Sequence, residues 1–156
     1  MIIWLASYPK SGNTLLRSTL ATYFFSKEGE FKFDYLYKIE QFPSISNFEN
    51  IGVDVLDEKK VFNNFIQAQK FINKEKNKVK FIKTHSSLSR INDSNFTDLE
   101  NTMGAIYIVR DPRNVIKSYA HHYDLSLDEA ADVIIDQTRW LVKTDKMFKT
   151  FLSSWS

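Results

Sequence analysis

The chain of 156 residues contains no cysteine, which excludes disulfides and thiolate metal sites. It has only three histidines, two of them adjacent, thin material for a metal centre. No apolar stretch approaches the roughly 20 residues of a membrane-spanning helix, and the opening "IIWLAS" lacks the length and basic leader of a secretory signal, so a cytoplasmic protein without a membrane span is expected. An excess of one charge is missing too. Lys+Arg of 21 against Asp+Glu of 19 leaves a net charge of +2, too balanced for a protein that tracks a nucleic-acid backbone, so any anion site must be local. Glycine (4) and proline (3) are scarce, which makes their placement informative.

What is present suits one domain over residues 1–156, with 43% hydrophobic residues for a core. Ile2 to Ser7 is a short apolar run of the kind buried on both faces of a parallel sheet. Tyr8-Pro9 breaks it, and from Asn13 the residues Leu15, Leu16, Leu20, Tyr23 and Phe24 recur with helical spacing. Val79 to His85 and Gly104 to Arg110 read as two further strands. Asp111-Pro112 then opens a helix, the acid as N-cap and the proline at its first position, with Val115, Ile116 and Tyr119 facing inward.

Between these units the pattern is less regular. Phe31 to Gly52 is irregular with at most one short helix, and core packing accounts for most of Phe31, Phe33, Tyr35, Tyr37 and Phe42. Asp57 begins a helix with Val61, Phe65, Ala68 and Ile72 on one stripe, ending in the solvated charge run "NKEKNK". Ser126 to Glu129 is a capping box, and Met147, Phe148, Phe151, Leu152 and Trp155 predict a last amphipathic helix. Strands alternating with helices give an α/β fold, a three-layer arrangement of a parallel sheet flanked by helices, with ligands at the carboxyl ends of the strands.

The three strand ends carry the chemistry. Lys10-Ser11-Gly12-Asn13-Thr14 follows the first, Lys83-Thr84-His85 closes the second, and Arg110 ends the third with Ser118 eight residues on. In the first loop Gly12 lets the backbone approach an oxyanion, helix amides point outward and Lys10 adds positive charge. The lysine precedes the glycine, so the ATP-binding pattern G-x-x-x-x-G-K-[ST] is not matched. Taken singly, each residue has a plainer reading: a histidine after a strand is often only a satisfied one, Arg110 equally suits an ion pair at the helix start, and Ser118 equally suits a helix surface. His121 and His122 are neighbours on a helix and point apart, so they are surface or rim residues.

Together "YPKSGNT", "IKTH" and "YIVRDPRNVIKSY" resemble, in order and spacing, the sulfotransferases that use 3′-phosphoadenosine 5′-phosphosulfate (PAPS). The resemblance runs from Ile2 to Tyr123. It implies a P-loop nucleoside triphosphate hydrolase-like fold and sulfuryl transfer from PAPS to a small-molecule or glycan hydroxyl or amine, with no metal. By position, Lys10, Ser11, Gly12, Asn13, Thr14 and Leu15 line the 5′ site, Arg110 and Ser118 the 3′ site, and His85 is the general base, with Lys10 stabilising the leaving phosphate. Many members have tryptophan in place of Leu15 and threonine in place of Asn13. The family's late glycine-rich segment has no counterpart here, so the resemblance implies a domain incomplete at its C-terminal end, with self-association or a completing chain through the last helix. Two other functions stay open: a module that binds a nucleotide or partner without turnover, and a nucleoside kinase-like phosphotransferase.

Overall fold

Two isoleucines, a tryptophan and a leucine within six residues favour an extended chain that is packed from both sides, and β1 (Ile2–Ser7) is the central strand of the molecule. The computed structural model describes residues 1–74 and 78–153. After β1 come α1 (Asn13–Phe25), a 3-10 turn (Phe33–Lys38), α2 (Ile45–Glu49), α3 (Glu58–Asn63) and α4 (Phe65–Ile72). Then follow β2 (Lys80–Thr84), the hairpin of β3 (Arg90–Ile91) and β4 (Ser94–Asn95), and β5 (Thr102–Ile108). The described chain closes with α5 (Pro112–Tyr123), α6 (Leu127–Ile135), β6 (Trp140–Leu141) and β7 (Thr150–Phe151).

The main sheet has the order β2-β1-β5 and every pair is parallel. Ala6 lies level with Thr84 on one side and Tyr107 on the other, so the three carboxyl ends finish together. Alternation sorts β1 between two cores. Ile2 and Trp4 pack with Ile82 against Phe42, Phe48, Val61 and Phe65, and Leu5 packs against Ala21 of α1 and Ile39. Helices therefore cover both faces. Among the described residues no helix is long and apolar enough to cross a membrane.

Four expectations change. The stripe Val61, Phe65, Ala68, Ile72 is buried as predicted, but two helices carry it, because the chain leaves helical geometry at Asn64, whose side chain donates back to the Lys60 carbonyl at 2.8 Å. In α1 Leu16 and Leu20 pack toward the sheet with Ala21 and the Phe24 ring meets Phe81 of β2 at 5.4 Å, while Leu15 and Tyr23 lie 75% and 78% exposed. Of the aromatic segment, Phe42 is buried and Tyr35 half-buried, whereas Phe31, Phe33 and Tyr37 are exposed, because the 3-10 turn presents Tyr35 toward α1.

The predicted last helix is replaced by the antiparallel pair β6–β7. Phe148 enters the core around Phe62 and Leu152 enters a different core beside Tyr8 and Tyr119, two destinations that residues four apart on one helical face cannot reach. Trp155, the end of that stripe, and Glu75 to Asn77 of the charge run lie outside the described residues.

Candidate active site

The loop after β1 is shaped by two left-handed residues. Lys10 has φ 67 and Gly12 φ 103, and the second value is one that an L side chain rarely adopts even though a Cβ there would meet nothing within 4 Å. Backbone conformation, not space, requires this glycine. Gly12 is also the N-cap of α1 and supplies no side chain, so the first-turn amides of Asn13, Thr14 and Leu15 are left without the usual cap. Uncapped amides and the positive end of the helix dipole face outward from the sheet end, next to the exposed side chains of Thr14 and Leu15 and in the same loop as Lys10.

Asn13 behaves differently from expectation. Its side chain is buried and turned inward, donating from Nδ2 to the Leu5 carbonyl at 2.8 Å and to Ser7 Oγ at 3.0 Å. That amide group ties α1 to β1, and toward an anion Asn13 offers its backbone N–H alone. Ser11 is buried as well, its N–H directed to the Tyr8 carbonyl at 3.3 Å.

His85, one residue past β2, reaches back to the same strand end. Its Nδ1 lies 2.7 Å from the Ser7 carbonyl and 3.3 Å from Ser7 Oγ. A carbonyl oxygen only accepts, so Nδ1 carries the ring proton and Nε2 is left as the basic nitrogen. Burial, then the neighbouring Lys83 ammonium, pull the His85 pKa from the ordinary 6.5 to about 4, against a smaller upward pull from the Ser7 carbonyl. The ring is neutral at pH 7, as a base must be.

Lys83 received no separate role from the sequence. It stands two residues before His85, on the same side of the strand, half-buried, with Nζ donating to Gln41 Oε1 at 2.9 Å. Burial and, second, the Arg17 guanidinium lower its pKa to about 8. Arg17 itself is occupied, donating to the carbonyls of Ile39 and Leu36 and so fastening the 3-10 turn to α1. The signal that exposes Lys83 is strand alternation: a lysine at i−2 from a candidate base shares its side.

The low His85 pKa has a cost in acid. Because the folded protein binds that proton less readily than the unfolded chain, stability is full above about pH 6.5 and falls as the pH drops through about 4. About 3 kcal/mol is lost across that window. Urea denaturation at pH 7 and pH 4 should show His85→Gln losing less stability than the wild type by about that amount.

At the third strand end, Asp111 caps α5 through the Arg113 N–H at 2.9 Å and holds the Arg113 side chain with both carboxylate oxygens, which keeps its own pKa below the ordinary value. The helix-start ion pair thus belongs to Arg113. Arg110 is exposed, and its Nη1 donates to the Lys10 carbonyl at 3.0 Å. Ser118, half-buried, lies on the second turn of α5. His121 and His122 are exposed on the last turn of that helix, and among the described residues no group of three His, Cys, Asp or Glu side chains is placed to hold a metal ion.

Next to His85 opens a cleft of about 670 Å³ walled by Tyr8, Phe96, Leu99, Tyr107 and Leu152, with Asp98 the only ionised side chain among its described lining. The aromatic segment from Phe31 to Phe42 is not part of that wall. A loop with uncapped helix amides, a neutral imidazole and an exposed guanidinium with one of its donors engaged thus gather at the ends of three adjacent strands, beside an apolar cleft. No curated protein matches the chain. The family model of the sulfotransferase domain matches residues 2–155, and the chain belongs to that family.

Proposed function

We propose that the protein transfers a sulfuryl group from PAPS to a hydroxyl or amine on an apolar acceptor, with His85 as general base. The observation that carries this reading is the 2.7 Å contact from His85 Nδ1 to the Ser7 carbonyl. It seats the imidazole against the strand end from which the loop departs and leaves Nε2 as the basic nitrogen of a ring that burial and Lys83 keep neutral. PAPS, when bound, supplies the sulfuryl group and a bisphosphate leaving group.

The residues suit that donor. The amides of Asn13, Thr14 and Leu15 and the Thr14 hydroxyl meet the 5′-phosphate, and Lys10 neutralises charge as it grows on the departing phosphate oxygen. Arg110 supplies a planar fork for the 3′-phosphate, with the Ser118 hydroxyl beside it. His85 Nε2 accepts the acceptor's proton as the bond from that oxygen or nitrogen to sulfur forms and the bond from sulfur to the phosphate oxygen breaks. Burial first and Lys83 second hold His85 in its basic form, and Lys83 adds a positive charge two residues before it. The scheme uses no metal.

The cleft favours an acceptor with an apolar body, uncharged or cationic, since Asp98 offers nothing to a carboxylated or sulfated sugar. Calorimetric titration tests the donor site. The bisphosphate 3′-phosphoadenosine 5′-phosphate should bind at least roughly tenfold more tightly than ATP, a difference of one good charge-assisted pair. Equal affinities would reject the assignment of Arg110 and Ser118.

A further inference from the structure

We propose that Arg110 is a positioning residue for the loop that grips the 5′-phosphate, in addition to binding the 3′-phosphate. Recognition at one end of the nucleotide then steadies the grip at the other. The inference rests on the donor reading above and extends it.

The loop holds an unfavourable backbone with few bonds of its own. Lys10 is a non-glycine residue at φ 67, a conformation that costs roughly 1–2 kcal/mol, and the nearest internal restraint is the long Ser11 N–H contact to the Tyr8 carbonyl at 3.3 Å. Restraint from outside comes from Arg110, whose Nη1 donates to the Lys10 carbonyl at 3.0 Å from a position one hundred residues further along the chain. Sheet register makes the contact a property of the fold. Ser7 is paired with Ile108, so the chain leaves β1 and β5 at the same level, with Lys10 three and Arg110 two residues further on.

Arg110 is also free for the task. The neighbouring carboxylate, Asp111, is taken by Arg113, and the guanidinium has five N–H donors, of which the Lys10 carbonyl uses one. The group is planar and rigid. A phosphate that fixes the remaining donors fixes Nη1 against Lys10 as well, and by linkage a steady loop returns the same free energy to 3′-phosphate binding.

The test compares adenosine 5′-phosphate, which has no 3′-phosphate, with 3′-phosphoadenosine 5′-phosphate on the wild type and on Arg110→Ala. Both affinities should fall, the bisphosphate roughly 10- to 100-fold and the monophosphate roughly 3- to 10-fold. Amide hydrogen exchange at Ser11 and Leu16, whose N–H groups bond within the loop and first turn, should be faster in the ligand-free variant. Loss of bisphosphate affinity with the monophosphate unchanged overturns the positioning role and leaves the donor site standing. Monophosphate affinity lost without faster exchange also overturns it, since removal of a charge then accounts for the effect. Unchanged bisphosphate affinity overturns both this inference and the donor reading.

Discussion

Replacing His85 with alanine should lower the turnover number for sulfuryl transfer roughly 10²–10⁴-fold, the range for loss of a general base. Affinity for 3′-phosphoadenosine 5′-phosphate should change little, because Nδ1 is engaged with Ser7 and Nε2 faces no phosphate in the proposed scheme. The pH profile carries the same assignment. His85 acts unprotonated and Lys83 acts charged, so the rate should rise through about pH 4, stay level near neutrality, and decline through about pH 8. His85→Ala should lose the acid limb. A drop in turnover that leaves the acid limb in place would assign the base elsewhere.

The second large effect belongs to Lys10. In the proposed scheme its charge serves the departing phosphate, where negative charge grows only as the sulfur–oxygen bond breaks, so the loss should appear in turnover more than in ground-state binding. Lys10→Asn is the informative change. Asparagine tolerates positive φ, so the backbone at φ 67 is kept while the ammonium is removed. Turnover should fall roughly 10²–10³-fold, the usual consequence of removing one charge-stabilising donor. Lys10→Arg should recover a large part of it. Steady-state kinetics with varied PAPS separates the two parameters, and a variant that loses affinity alone would make Lys10 a binding group without a role in the chemistry.

Much of this site is legible in the residues because its parts are local. A buried strand, a break at Tyr8-Pro9 and a helix starting at Asn13 follow from period and punctuation within twenty-five residues, and the same holds for β5, Asp111-Pro112 and α5. The Ser126–Glu129 capping box is likewise a four-residue pattern, and both of its hydrogen bonds form. Parallel strands then bring the loops together by topology alone.

What stays hidden depends on which partner the folded backbone offers each side chain. The ring proton of His85 is placed by a carbonyl 78 residues away, and Asn13 turns inward because β1 offers it two acceptors. Neither preference is written in the residue type. Arg110 and Arg113 look interchangeable beside Asp111, and only the geometry of the turn gives the acid to Arg113. The final segment shows the opposite failure, where helical spacing is present but two separate cores compete for Phe148 and Leu152 and the chain becomes a hairpin.

The central claim is sulfuryl transfer, and it is tested most directly by incubating the protein with ³⁵S-labelled PAPS and apolar phenols, alcohols and amines. The account predicts a labelled sulfate ester or sulfamate whose formation His85→Ala reduces at least roughly 100-fold. Binding of 3′-phosphoadenosine 5′-phosphate without labelled product from any of the three acceptor classes, or product formed equally by His85→Ala, would contradict it.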